Sequence, residues 1–200
     1  MAKKFILALI LLVFIIICGI LFLGNDSVNI FNDGENITVE TTTFSDIDKT
    51  GLNNAICNYT MQVMDDTTTN ITTYRNEIGN ICKHYGLEDA EINIDSSIGP
   101  DQIPVVVNVD GTSMLPTLQD GQIAMLNKTH DVHVGDIVVA DSDEYGGIIK
   151  RVDKIDGNNI HLVSDNKNVS YEFINGELYQ IKGISTWVDI SDVNGVVVEY

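Results

Sequence analysis

The apolar residues change their spacing near residue 90, and that change limits the folds open to the chain. Before it, Leu52, Ile56, Tyr59 and Val63 recur at steps of 4, 3 and 4, and Ile71, Tyr74, Ile78, Ile81 and Tyr85 at steps of 3, 4, 3 and 4. Each stripe fits one face of an α-helix. Asp65-Asp66-Thr67-Thr68-Thr69-Asn70 breaks the register between them, and Gly86 supplies a stop. The expectation is a helical hairpin over 50–90, with one long bent helix as the alternative. Its stripes pack on each other or on the body that follows; a surface for a partner protein on residues 50–86 is a further reading. After residue 90 the pattern is that of strands, over 91–94, 103–109, 122–126, 136–140, 147–155, 159–163, 179–187 and 196–199. Turn formers such as Asp120-Gly121, Gly146-Gly147 and Asp156-Gly157 separate several of them. The fold class expected is mainly β, a folded antiparallel sheet or barrel over 91–200.

Residues 5–23 carry no charge and are apolar but for Gly19. That length suffices for a transmembrane helix ahead of the hairpin. A cleaved signal peptide is the alternative, although no Ala-x-Ala-like site follows. Lys3 and Lys4 precede the run, and no Lys or Arg appears again until Lys49. The positive-inside bias then makes 1–24 a cytoplasmic tip and membrane anchor, with the rest of the chain extracytosolic. Residues 25–49 read as a polar stalk with one short strand at 36–39. The net charge is -18, from 29 acidic and 11 basic side chains. Such a chain repels phosphates, which disfavours a nucleic-acid partner. Glycosylation triplets at Asn25, Asn36, Asn58, Asn70, Asn127 and Asn168 agree with an external glycoprotein. Cys18 falls in the apolar run. Cys57 and Cys82 come to matching heights in a hairpin, as a disulfide or as two free thiols.

Gly111-Thr112-Ser113-Met114-Leu115-Pro116-Thr117-Leu118 follows the β-prone run Val105-Val106-Val107-Asn108-Val109. Gly111 permits a sharp turn, which leaves Ser113 on a loop at a strand end. Pro116 fixes its own φ and biases Leu115 towards an extended conformation. A stiff, exposed serine beside apolar anchors (Met114, Leu115 and Leu118) suits a nucleophile; an ordinary strand-to-turn corner is the plain alternative. The hydroxyl needs a base to take its proton. Lys150 shares a strand face with Ile148 and Val152, and an apolar neighbourhood disfavours the ammonium form. A surface lysine snorkelling from a sheet edge is the plain alternative there. Arg151 points to the opposite face and keeps its charge. His84, His130, His133 and His161 sit in unrelated contexts, and no Ser–His–Asp pattern can be picked out.

Ser-Met-Leu-Pro-Thr-Leu-x-x-Gly resembles the nucleophile box of type I signal peptidases, and a related box occurs in the self-cleaving peptidases of SOS repressors. Ile148-Ile149-Lys150-Arg151-Val152 resembles the lysine strand of the same superfamily. Val134-Gly135-Asp136-Ile137-Val138-Val139-Ala140 is similar to its Gly-Asp-Ile-Val strand, and Ser164-Asp165-Asn166 to its Gly-Asp-Asn box. The four matches are in order and cover about 103–200. The resemblance is to a membrane-anchored, archaeal-like member, and it implies a serine endopeptidase on a mostly β fold. Ser113 would be the nucleophile and Lys150 the base, with Gly111, Met114, Pro116, Arg151 and Asp165 in support. The Ser113 N–H would be one oxyanion donor, the second being unassigned. The implied substrate is an extended segment of an exported preprotein just outside the bilayer, with small residues before the scissile bond. Ser164, Gln122 and Thr112 depart from the family pattern; Ser164 stands where glycine would form a tight turn.

Self-cleavage in the SOS repressors falls at Ala-Gly or Cys-Gly bonds. This chain has no Ala-Gly, and its Cys18-Gly19 lies inside the apolar run. A protease dedicated to one secreted substrate class, and a non-enzymatic surface protein on a peptidase fold, are the other readings. No cofactor or metal is expected. His130, Asp131, His133 and Asp136 read as a plain loop rather than a zinc site, and 141–146 as a hairpin turn rather than a calcium loop.

Overall fold

The computed structural model describes residues 26–66, 69–174 and 176–200. The apolar run 5–23, read from sequence as a membrane anchor, lies outside them. Among the described residues no helix is long and apolar enough to cross a membrane.

Residues 26–49, expected to be a polar stalk with one short strand at 36–39, are instead folded, and the expected strand is the start of a longer one. They carry β1 (Ser27–Asn32) and β2 (Ile37–Thr42), an antiparallel pair. Two helices follow, α1 (Lys49–Asp65) and α2 (Ile71–His84), and then β3 (Glu91–Ser96). β3 runs parallel to β1, giving the order β2-β1-β3. Strand β3, expected in the β body, thus belongs with the helices. Asp48 caps α1 by accepting from Gly51 N–H, and Asn70 caps α2 by accepting from Thr73 N–H. The helical stripes are absorbed by this small sheet. Leu52, Ile56 and Val63 of α1 and Tyr74, Ile78 and Cys82 of α2 join Val28, Ile30 and Ile94 in one buried cluster. Cys57 and Cys82 are free thiols, so the disulfide alternative is not formed.

The main sheet is built from β4 (Pro104–Asn108), β5 (Ile123–Asn127), β6 (Ile137–Ser142), β7 (Gly146–Asp156), β8 (Asn159–Val163), β11 (Ser185–Asp189) and β12 (Val193–Glu199). Its order is β11-β8-β7-β6-β12-β5-β4, antiparallel throughout. β9 (Ser170–Ile174) and β10 (Glu177–Ile181) form a separate hairpin, so residues 179–187 are not one strand. Register shifts in β12, at Val193/Gly195 and Val197/Glu199, and in β7, at Val152/Lys154, curl the sheet. It remains open, with β4 and β11 as its edges, rather than closing into a barrel. Val138, Ala140, Val152, Ile160, Leu162 and Val193 fill one core. Val109, Met114, Leu118, Ala124 and Ile137 fill another, directly under the serine loop.

Candidate active site

The serine loop leaves edge strand β4 and coils. Gly111 takes φ +83°, and its N–H donates to Asp120 Oδ1 at 2.8 Å. Leu115 N–H then donates to Thr112 O, and Leu118 N–H to Met114 O. Successive turns replace the extended run expected before Pro116, whose peptide bond to Leu115 is cis. Met114 and Leu118 are buried as anchors, whereas Leu115 is only half-buried. Ser113 is left half-buried at the rim.

Lys150 reaches it from β7. The 6–7 hairpin pairs Val138 with Lys150 and Asp141 with Gly147, so 141–146 is the turn that sets this strand. Alternation puts Ile148, Lys150 and Val152 on the inner face, and all three are buried. Lys150 Nζ lies 2.8 Å from Ser113 Oγ and donates to Ile149 O at 2.7 Å. Burial pushes its ammonium below the ordinary lysine value. In the neutral amine, one hydrogen serves Ile149 O and the lone pair is free for the Ser113 hydroxyl.

Arg151 turns to the opposite face. Its Nε and Nη2 hold Asp165 in a fork at 2.8 and 2.6 Å, and Nη1 donates to Gly135 O. Those bonds, helped by the Thr117 hydroxyl at 2.5 Å, hold the Asp165 carboxyl below the usual carboxylate range. Asp165 therefore does not touch Lys150; it ties β7 to the serine loop through Arg151 and Thr117. Asn166 completes the clamp. Its N–H donates to Ser113 O and its Nδ2 to Thr112 O, both at 2.9 Å. Sequence reasoning gave neither Thr117 nor Asn166 a role, because their contacts exist only once the loop is coiled. Ser164, where the family pattern has glycine, lies just past β8 and outside any hydrogen-bonded turn. Buried, it exchanges bonds with Ile184, whose N–H donates to Ser164 Oγ. Gln122 serves the same loop by accepting from Gln119 N–H.

Two cavities meet at Ser113 and Ile184. One, of about 440 Å³, is walled by Val107, Val139, Ile148 and Ile149 beside Lys150. The other, of about 460 Å³, is lined by Thr112, Asn166, Asn168 and Lys182. The serine thus stands in a groove that is apolar on one side and polar on the other. Among the described residues no cluster of His, Cys, Asp and Glu could hold a metal.

A comparison with curated proteins finds no match. A family model described as Peptidase S24-like matches residues 79–186, more than half of the 200-residue chain. The match takes in the serine loop, the β7 lysine and the Asp165 clamp, and on that span the chain belongs to the Peptidase S24-like family of serine–lysine peptidases.

Proposed function

We propose that the chain is a membrane-anchored serine endopeptidase that cuts extended segments of exported proteins, signal peptides first among them. The observation that carries this reading is the 2.8 Å contact between Ser113 Oγ and a buried Lys150 Nζ. Ser113 attacks the scissile carbonyl while Lys150 takes its proton, then returns it to the leaving amine. The Ser113 N–H meets the developing oxyanion. Water completes the cycle by hydrolysing the acyl-enzyme. Arg151, Asp165, Thr117 and Asn166 hold the loop and act through Ser113. The substrate approaches as an added strand on β4, the sheet edge that runs into the serine loop and places Val107 and Asn108 on the groove.

The uncharged run 5–23 supports an anchor, and the lysine bias across it supports an extracytosolic β body. Asn58, Asn70 and Asn168 are themselves exposed, as glycosylation would require, although Thr60 of the first triplet is buried. The test is cleavage of a preprotein by the purified chain, beside Ser113→Ala and Lys150→Ala. Loss of product by about 10³-fold in both variants is expected, in the range of a lost nucleophile or general base. Equal rates in all three sink the dyad. Truncation of the chain itself with the preprotein left intact favours the self-cleaving reading instead.

A further inference from the structure

Three strands of the main sheet gather side chains that no stretch of sequence joins. Asp153 is the extra residue at the β7 register shift, His161 sits mid-way along β8, and Ser185 opens edge strand β11. His161 Nδ1 lies 3.0 Å from Asp153 Oδ2, and its Nε2 lies 2.9 Å from Ser185 Oγ. A carboxylate only accepts, so Nδ1 carries the hydrogen. In a neutral imidazole that arrangement leaves Nε2 as the acceptor, placed to receive the Ser185 hydroxyl hydrogen. This is the polarity a serine needs to shed its proton on attack. Lys154 Nζ stands 4.0 Å from the same Asp153 carboxylate. The Trp187 ring covers the imidazole, with centroids 4.9 Å apart and planes tilted by 33°, and remains half exposed itself. Ser185 is exposed, so a ligand can reach its hydroxyl.

The strand pairing adds a donor. Ser164 N–H donates to Ile184 O just before β11, and Ile190 N–H donates to Asn158 O just after it. Bonded pairs in an antiparallel ladder recur at every second residue. Thr186 and Val188 therefore direct their backbone groups at β8, while the N–H groups of Ser185 and Trp187 point out from the sheet edge. A carbonyl oxygen arriving from that side meets the Ser185 N–H beside the Ser185 hydroxyl.

We propose that Ser185, His161 and Asp153 form a second nucleophilic centre, separate from Ser113 and Lys150, that hydrolyses carboxylic esters whose acyl chain lies against Trp187. Ser185 Oγ bonds to the carbonyl carbon as its proton passes to His161 Nε2. Collapse of the tetrahedral species breaks the ester bond, and the leaving alkoxide takes that proton to depart as the alcohol. Water, giving a proton to His161, then attacks the acyl-serine, frees the carboxylic acid and restores Ser185. Asp153 fixes the tautomer throughout.

The experiment uses the full chain carrying Ser113→Ala, so that the first serine is silent. It is treated with an alkyl fluorophosphonate and mapped by peptide mass spectrometry, with p-nitrophenyl butyrate as the turnover substrate. The adduct is expected on Ser185. Adding His161→Gln lowers the labelling rate by about 100-fold, the lower range for a lost general base. Adding Asp153→Asn lowers it and changes its pH profile, since the imidazole loses its preferred tautomer. Absence of label at Ser185 in the Ser113→Ala chain overturns the proposal, as does a labelling rate unchanged by His161→Gln. The Ser113→Ala chain keeps all three residues, so its labelling alone decides the matter even where a His161 variant fails to fold.

Discussion

Lys150 is 3 % exposed, and that burial pushes its ammonium below the ordinary lysine value. The consequence for activity has one sign. In the proposed dyad Lys150 can act as a base only when neutral, so kcat/KM is expected to rise with pH through the lowered value. The consequence for stability has the same direction for a different reason. Between the lowered value and the ordinary one, the unfolded chain binds more protons than the folded chain, so stability rises with pH across that window. Below it, the folded chain must hold a buried ammonium. Replacing Lys150 by methionine keeps the shape and removes that cost. Lys150→Met is expected to abolish cleavage and to raise Tm near neutral pH by about 2–4 °C, the shift that about 1 kcal/mol gives in a chain of this size. Thermal melts of the two proteins check this. A lower Tm in the variant would mean that the bonds to Ser113 Oγ and Ile149 O outweigh the burial.

Glycines decide two of the element contacts, and they separate stability from activity. A Cβ on Gly195 of β12 would come within 2.7 Å of Asn127 O across the ladder, in the sheet and away from Ser113. Gly195→Ala is expected to cost about 1–3 kcal/mol, as overpacking does. A Cβ on Gly183 would come within 2.8 Å of Asn166 O and 3.0 Å of Ser164 Cβ. Asn166 holds the Ser113 and Thr112 carbonyls, so the displacement passes to the nucleophile. Gly183→Ala is expected to lower kcat by about 10- to 100-fold, as small misplacements of a reacting group do. Urea titration and preprotein cleavage on both variants would show opposite rankings; a common ranking contradicts the clamp. The same elements explain what the sequence revealed. β7 was legible because Ile148, Lys150 and Val152 alternate strictly, and the serine loop because its box resembles a known one. β1 was missed because Val28 and Ile30 alternate among Ser, Asn and Phe, and its pairing with β3 joins distant parts of the chain. The β9–β10 hairpin was overlooked although Asn175-Gly176 is a strong turn signal. Asp153, His161 and Ser185 carry no local signal at all, since only the pairing of three strands brings them together.

At the scale of the whole molecule, one buried cation ties the helical unit to the main sheet. Lys128, 6 % exposed just past β5, donates from Nζ to Val63 O in the last turn of α1 at 2.7 Å. Its backbone N–H donates to Ile103 O at the entry to β4. Helix ends leave carbonyls without partners, and a cation there also meets the negative end of the helix dipole. Burial pushes the Lys128 ammonium down, while Asp66 and Asp65 nearby hold it up. Gly34 adds contact, since a Cβ there would meet Val106 of β4 at 2.8 Å. Lys128→Ala strands the Val63 carbonyl and is expected to cost about 1–3 kcal/mol, the range for a buried group left unpaired. With the tie intact, urea unfolding follows one transition; in Lys128→Ala the helical unit melts first, and the curve gains a second step. The functional reading sharpens the expectation. If β1 is the first element after a membrane anchor, this tie sets the height of Ser113 above the bilayer. Lys128→Ala should then slow cleavage of a preprotein embedded in liposomes far more than cleavage of a short soluble peptide. Equal slowing of both substrates, with a single unfolding step retained, would mean that the lysine only fills space between the two units.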